Sequence, residues 1–173
     1  IVIIIYKHED VRKGDILFIL SCEKKFKRLD LNKNNIVIHE SNLPRGKGWS
    51  PLTWQVLENK TKIPVTLFEA SEKIDDGKIY LQDFIFLKGG ELLAELKMKQ
   101  GLITNKLILR FLKLYPVIEG KEQKGSESFY KRRTPKDSEL NIDKSIRDQF
   151  NLFRVCDNLR YPAFFILGGK KYI

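Results

Sequence analysis

Short apolar runs alternate with polar segments along the first half of the chain, and they predict most of its strands. Runs that are apolar at every position are typical of strands buried on both faces, as in parallel sheets covered by helices. The predicted strands are residues 1–6, 16–20, 36–38, 65–68 and 78–81. A turn over residues 74–77 separates the last two, because its Asp-Gly pair accepts a positive φ.

Two helices are predicted between and after these strands. The shorter covers residues 51–58, with Ser50 placed to cap it and Pro51 at its first position. The longer covers residues 91–115 and ends before Pro116, with Gly101 as a candidate position for a bend. Its apolar side chains recur at spacings of three, four and seven, which predicts a core-facing stripe. The stripe consists of Leu92, Leu96, Ile103, Leu107, Phe111 and Leu114.

The composition changes after the long helix. Residues 119–143 are rich in Lys, Glu, Gly, Ser and Pro, which is typical of an exposed crossing segment. A second helix is predicted over residues 142–157, with Ile146, Phe150, Phe153 and, as a further candidate, Leu152 on one face. A closing hairpin is predicted over residues 161–173. We therefore expect an α/β fold with a largely parallel sheet over residues 1–118 and a small helix-hairpin extension over 119–173. Because the chain starts without Met inside a strand pattern, an N-terminal strand and helix are expected to be absent from this sequence.

Composition excludes several classes of protein. Of the 173 residues 42% are hydrophobic, so the chain can bury a core, but no apolar run reaches the ~18 residues that a membrane helix needs. Two distant cysteines make no disulfide framework, which favours a reducing cytoplasm, and with only two histidines no metal site is expected. The net charge of +10 favours anionic partners such as nucleic acid, phosphorylated metabolites or polycarboxylates. The densest basic cluster, residues 131–133, is too short for a nucleic-acid arm.

His39 and Asp75 are the candidate chemical groups. His39 follows the predicted strand 36–38 at once, and open α/β sheets build their sites at the carboxyl ends of strands. A Gly- and Pro-rich loop leads from it into the first helix, and Asp75 lies in the acidic turn one strand later. A lone histidine is more often structural, and an aspartate before Asp-Gly is more often a turn residue. Together with the unusual loop, the pair favours a site.

The residues around His39 resemble a known family. The pattern His39-x-Ser41-x-Leu43-Pro44-(x)3-Gly48-(x)2-Pro51-(x)2-Trp54 is similar to the signature of formyltransferases that use 10-formyltetrahydrofolate. Further elements of that family are matched in compatible order by Ile-Leu-Ser at 19–21, Val-Thr at 65–66 and Ile-Asp-Asp-Gly at 74–77. The resemblance covers about residues 14–115. The C-terminal part, at residues 129–135, 154, 157–158 and 161–164, resembles the short sugar N-formyltransferases that act on pseudaminic-acid-type amino sugars. The resemblance implies a Rossmann-like formyltransferase fold.

The resemblance also implies roles for individual residues. His39 would stabilise the oxyanion that develops when an amine attacks the formyl carbon, and Asp75 would orient the imidazole and help to remove the amine proton. The folate co-substrate would be held by Leu20, Ser21, Cys22, Glu72, Lys73 and Ile74. The acceptor would be held by Ser41, Asn42, Trp49, Arg154, Asn158 and Tyr161. No metal is required.

One position departs from the family pattern. The family has an Asn two residues before its His, and this chain has Val37, whose side chain cannot donate a hydrogen bond. Ser41, Asn42, a loop N–H group or a water molecule could substitute, or catalysis is impaired.

Three functions therefore stay open: an amino-sugar N-formyltransferase, which is favoured; a methionyl-tRNA formyltransferase; and a non-catalytic folate- or nucleotide-binding relative. The family's methionyl-tRNA enzymes ordinarily carry a further C-terminal domain. The expected partners are folate and a small amino sugar, with a homodimer left open; neither a membrane nor nucleic acid is expected.

Overall fold

The computed structural model describes residues 2–22 and 24–173. The strands are β1 (Gly14–Ile19), β2 (Asn32–His39), β3 (Lys47–Gly48), β4 (Lys62–Glu69), β5 (Ile79–Phe86), β6 (Phe129–Tyr130), β7 (Phe165–Leu167) and β8 (Lys170–Tyr172). The α-helices are α1 (Pro51–Leu57), α2 (Leu93–Leu114) and α3 (Phe150–Val155). Single 3-10 turns occur at His8–Asp10, Leu29–Leu31, Pro135–Ser138 and Arg147–Gln149.

The main sheet of the described ranges has the strand order β1-β2-β4-β5. Strands β1 and β2 are parallel, whereas β2 pairs with β4 and β4 with β5 in the antiparallel sense. The predicted α/β class is confirmed, but the expectation of a largely parallel sheet is wrong for these strands. Only residues 70–78 connect β4 to β5. This loop is too short for the crossover of about a dozen residues or more that a parallel pair needs, so the chain reverses there and the two strands pair in the antiparallel sense.

Helix α2 covers the sheet as its hydrophobic period predicts. Leu96, Ile103, Leu107 and Phe111 are buried and belong to the same cluster as the strand residues. The ring of Phe111 packs edge-on against Tyr80, with the ring centroids 5.1 Å apart. The helix continues through Gly101 without a break in its assignment. Leu92 and Leu114, at the two ends of the predicted stripe, are half exposed.

Helix α1 begins where Pro51 predicts, but its cap differs from the expectation. Ser50 occupies the N-cap position with a left-handed backbone, φ 49° and ψ 49°, and its side chain makes no capping hydrogen bond. An N-cap side chain normally reaches the helix N–H groups from an extended backbone. The predicted serine cap is therefore wrong, and the fixed φ of Pro51 remains the local signal for the helix start.

The predicted strand at residues 1–6 does not form over the described residues 2–6. Val2, Ile3, Ile4 and Tyr6 have exposed fractions between 73% and 93%, and no strand is assigned there. Ile1 lies outside the described residues. An apolar run becomes a strand only when another strand pairs with it, and the first paired strand of the described chain is β1.

The C-terminal residues confirm the hairpin and correct the helix. Strands β7 and β8 pair through a turn at Gly168 and Gly169, which both have positive φ. The predicted helix over 142–157 is reduced to one 3-10 turn and α3. Leu152, a candidate for its predicted face, packs on the core together with Val155, whereas Ile146 is 68% exposed, so the predicted face is wrong at Ile146.

The crossing segment also contributes a strand, because its β6 pairs with β3 in parallel.

The division of the chain into a main unit up to residue 118 and an extension from residue 119 stays a prediction. No helix of the described chain is long and apolar enough to cross a membrane.

Candidate active site

His39 is the last residue of β2 and pairs with Thr66 of β4. Its side chain is 10% exposed, and its Nε2 atom lies 2.9 Å from the carbonyl oxygen of Gly46. A carbonyl oxygen only accepts hydrogen bonds, so Nε2 carries the hydrogen and donates it. The loop after β2 thus folds back over the ring and fixes its orientation.

Asp75 reaches the same place from the turn between β4 and β5. Its Oδ2 atom accepts a hydrogen bond from the N–H of Gly48 at 2.8 Å and lies 3.6 Å from Nε2 of His39. The positive φ expected of the Asp-Gly pair at residues 76 and 77 is not found there; the residue of this turn with a positive φ is Asp75, at 51°. Gly77 is required for a different reason, because a Cβ atom there would lie 1.6 Å from the carbonyl oxygen of Glu69.

Residues of the crossing segment hold the loop in this position. Lys47 N–H donates to the Ser128 carbonyl at 2.9 Å, and Trp49 N–H donates to the Tyr130 carbonyl at 3.1 Å. Gly48 has φ 96°, and a Cβ atom on it would lie 2.5 Å from the Tyr130 carbonyl oxygen. The close approach of β6 to β3 therefore depends on glycine at this position.

Lys47 is the buried cation of the site, with its side chain 2% exposed. Its ammonium lies 2.5 Å from Oδ1 of Asp76 and 2.5 Å from Oε1 of Glu127. Burial opposes the charged form, but the hydrogen bonds to the two carboxylates outweigh it and raise the pKa of Lys47. The hydrogen bond from Lys47 in turn lowers the pKa of Asp76. Sequence reasoning missed this lysine, and its only local signal is its place between two glycines.

A cleft of about 500 Å³ opens beside this ion cluster. Its lining residues are Lys25, Lys47, Glu72, Lys73, Ile74, Asp76, Glu127 and Phe129. The three residues from the 72–74 segment are the ones predicted to hold folate, and the Lys25 ammonium donates to the Glu72 carbonyl. The other predicted folate residues, Leu20, Ser21 and Cys22, are exposed immediately after β1 and are not part of this lining.

Three predicted acceptor residues belong to the loop that follows His39. Ser41 is 1% exposed, and its hydroxyl has no hydrogen-bond partner among the described residues. Asn42 is exposed and accepts a hydrogen bond from Gln82 at 3.2 Å. Trp49 is 37% exposed, and the guanidinium of Arg132 lies 4.5 Å from the centre of its ring.

The other predicted acceptor residues lie in the C-terminal extension, and for Arg154 the prediction is wrong. The Arg154 guanidinium is 1% exposed and donates to the Glu91 carbonyl and carboxylate and to Asn151, at 2.9–3.2 Å. Its N–H groups donate within the protein and it has almost no access to solvent, so it connects α3 to Glu91, just before α2, and does not face a substrate site. Asn158 lines a separate cleft of about 720 Å³, and Tyr161 lies under Arg133 at 5.7 Å.

Val37 lies two residues before His39 on β2, and alternate strand residues share a face. It pairs with Ile19 of β1 and Phe68 of β4 and is half-buried. The position that holds Asn in the resembling family is thus on the same face of the sheet as the imidazole, and its side chain here is apolar.

Comparison with known proteins gives sequence relatives and shared folds. No protein-family model matches the chain. The chain is 32% identical over 163 residues to a methionyl-tRNA formyltransferase from Thermosipho melanesiensis, covering 93% of this chain and 52% of that protein. The chain therefore spans about half the length of this relative.

Solved structures share the fold over most of the chain. A sugar N-formyltransferase from a Shewanella species superposes with a TM-score of 0.70 at 20% identity, covering 91% of this chain and 67% of that one. HypX from Aquifex aeolicus, solved in complex with tetrahydrofolic acid, superposes with a TM-score of 0.72 at 16% identity, covering 91% of this chain and 28% of that one. At these identities the likeness shows the fold. The chain is thus similar in sequence to a formyltransferase over 93% of its own length, and it shares the fold of solved formyltransferases.

Proposed function

We propose that this chain transfers a formyl group from 10-formyltetrahydrofolate to the amine of an anionic amino sugar. The observation that carries the proposal is the His39–Asp75 pair at the end of β2, 3.6 Å apart and held by Gly46 and Gly48 of one loop. The fold around the pair is shared with formyltransferases, and one neighbour with that fold is solved with tetrahydrofolate bound. An imidazole beside a carboxylate can stabilise negative charge and accept a proton, the two tasks that acyl transfer to an amine requires.

The cleft lined by Lys47 and by Asp76, the neighbour of Asp75 in the sequence, suits a folate. Residues 72–74 line one side, and the lysines at positions 25 and 73 place two ammonium groups where the carboxylates of a folate glutamate could pair with them. Folate supplies the formyl carbon. The amine nitrogen forms a bond to that carbon, negative charge gathers on the formyl oxygen, and the bond from the carbon to the folate nitrogen then breaks. The amine gives up one proton and the folate nitrogen takes one, so that protons balance.

The residues of the chain have distinct roles in this scheme. The Asp75 carboxylate accepts the amine proton. His39 can donate a hydrogen bond to the formyl oxygen in one of two ways. In the first, the donor is Nδ1–H of an imidazolium. In the second, the donor is Nε2–H, which in the structure donates to the Gly46 carbonyl and would turn to the substrate oxygen instead. The N–H of Gly48 keeps the Asp75 carboxylate beside the ring. A sugar ring would lie against the exposed indole of Trp49, and the Arg132 guanidinium over that ring favours a negatively charged sugar.

Methionyl-tRNA formylation is the second candidate, favoured by the 32% identical relative. The net charge of +10 is compatible with an RNA substrate. A third candidate, a folate-binding protein without activity, is favoured by Val37 in place of the family Asn.

A substrate panel separates the three candidates. The purified chain is incubated with 10-formyltetrahydrofolate and, in separate reactions, with nucleotide-linked amino sugars, a pseudaminic-acid-type amino sugar or methionyl-tRNA. Release of tetrahydrofolate and the mass of the formylated product are measured, with Asp75→Asn as the inactive control. We expect turnover with an amino sugar. Turnover with methionyl-tRNA alone, falling steeply with salt, would establish the second candidate instead. Folate binding by calorimetry without turnover on any acceptor would establish the third.

A further inference from the structure

Lys47 stands between the two residues that hold the proposed catalytic pair. On its N-terminal side the Gly46 carbonyl accepts from His39, and on its C-terminal side the Gly48 N–H donates to Asp75. The position of this one residue therefore determines where both contacts are made. Two glycines with positive φ cannot fix that position themselves, because glycine is the most conformationally free residue.

The Lys47 side chain supplies the missing restraint. Its ammonium joins Asp76, the neighbour of Asp75 in the turn after β4, to Glu127, which lies just before β6. The loop, the turn and the crossing segment thus meet at one buried nitrogen. The Lys47 ammonium is buried, whereas its two carboxylate partners are partly exposed. Without the ammonium between them the two carboxylates would repel each other, which would loosen the contact between the turn and the crossing segment.

We infer that Lys47 is a positioning residue that sets the distance between His39 and Asp75. This inference rests on the proposed function and deepens it by naming the residue that fixes the distance between His39 and Asp75. Reacting groups displaced by about 1 Å lose about a hundredfold in rate, so a residue that fixes the spacing of the pair can control turnover through its own contacts with Asp76 and Glu127. The chemistry requires the ammonium only as a fixed cross-link, and a guanidinium at the same position can provide the same two ion pairs.

The test compares two substitutions at this position with a matched control. In Lys47→Met the chain length is kept and the charge is lost, and we expect kcat to fall between about tenfold and a hundredfold while the KM values for folate and acceptor stay within about threefold. Lys47→Arg is expected to recover most of the lost kcat. The control is Lys106→Met, which should leave turnover unchanged. It removes an exposed lysine of α2 that forms an ion pair with Asp83 of β5. A folded Lys47→Met protein with wild-type kcat would overturn the inference.

A second readout keeps the inference testable if Lys47→Met does not fold or if the protein turns over no acceptor. Glu127→Gln removes one of the two carboxylates at an exposed site and is expected to leave the chain folded. In this variant the ring ¹H–¹⁵N signals of His39 should shift by NMR, whereas in Lys106→Met they should not. Unchanged His39 signals in Glu127→Gln would contradict the positioning role. If the wild-type protein transfers no formyl group while Glu127→Gln still shifts the His39 signals, the proposed function is refuted and the positioning role is supported.

Discussion

The Nε2 atom of His39 lies 3.6 Å from Oδ2 of Asp75, although helix α1 and strand β4 separate the two residues in the sequence. Gly46 accepts from the imidazole and Gly48 donates to the carboxylate, so two backbone groups of one loop hold the pair. The arrangement places a potential cation and an anion side by side at the edge of the sheet, close to the lysine-lined cleft.

Removal of either member of this pair should abolish most formyl transfer without unfolding the chain. His39→Ala and Asp75→Ala each remove a group that would stabilise charge or accept a proton, which is expected to cost on the order of 3 kcal/mol, or about a hundredfold in kcat. Steady-state kinetics and circular dichroism measure the two properties separately. Near-normal turnover in either variant would remove that residue from the mechanism.

Gly48→Ala tests the backbone contact that holds Asp75. An alanine Cβ would lie 2.5 Å from the Tyr130 carbonyl oxygen, and φ 96° is unfavourable for any side chain. We expect β3 and β6 to separate locally, with a loss of kcat of about tenfold or more because the Gly48 N–H no longer meets the carboxylate. Gly101→Ala is the control, since that glycine lies in α2 with open space around it and the change should stabilise the helix. Wild-type kcat in Gly48→Ala would show that the contact is dispensable.

Val37→Asn restores the residue type that the resembling family has at this position. The strand places the new amide on the same face as His39, where it can donate to the formyl oxygen. We expect kcat to rise, because one hydrogen bond to a developing oxyanion contributes on the order of 3 kcal/mol to the stability of the transition state. Val37→Thr serves as the control for polarity without an amide. An unchanged or lower kcat in folded Val37→Asn would indicate that another group of this chain already fills that role.

Acid should destabilise the chain through Glu91. Burial by itself disfavours this carboxylate, but hydrogen bonds from the Lys88 and Gly89 N–H groups and from Lys99 outweigh it and lower the pKa to about 2, below the ordinary 4.5. A depressed pKa means that the stabilisation is complete above pH 4.5 and is lost as the pH falls towards 2. The free energy of unfolding should therefore fall by on the order of 2–3 kcal/mol across this window.

The measurement is denaturant unfolding as a function of pH. In Glu91→Gln the unfolding free energy should be lower at neutral pH and should fall less across the same window, because Glu91 no longer titrates while carboxylates such as Asp76 and Asp137, whose pKa values are also lowered, still do. Arg154→Leu, which removes a buried partner of Glu91, should destabilise the chain by about 3–5 kcal/mol while the folded fraction keeps its KM for the sugar. A raised KM with unchanged stability would restore Arg154 to the acceptor site.

The sequence by itself determined the elements with strong local patterns. The apolar runs gave strands β1, β2, β4 and β5, the periodic stripe gave α2, and Pro51 gave the start of α1, because these patterns require burial on a definite face. The motif from His39 to Trp54 indicated the family. The same local reasoning failed at residues 1–6, where an apolar run lacks a partner strand within the described chain, and at Arg154, where a basic residue beside aromatics is a buried tie.

Only the tertiary structure decided the direction of the strands, the pairing of β3 with β6, and the position of Lys47 between Asp76 and Glu127. Each depends on contacts between segments far apart in the sequence, and local periodicity carries no information about such contacts. Lys47 shows this most clearly. In the sequence it is a lysine in a polar loop, where the expected state is a solvated side chain. Burial becomes favourable only when two carboxylates, one of them from about eighty residues away, meet the ammonium and replace its water.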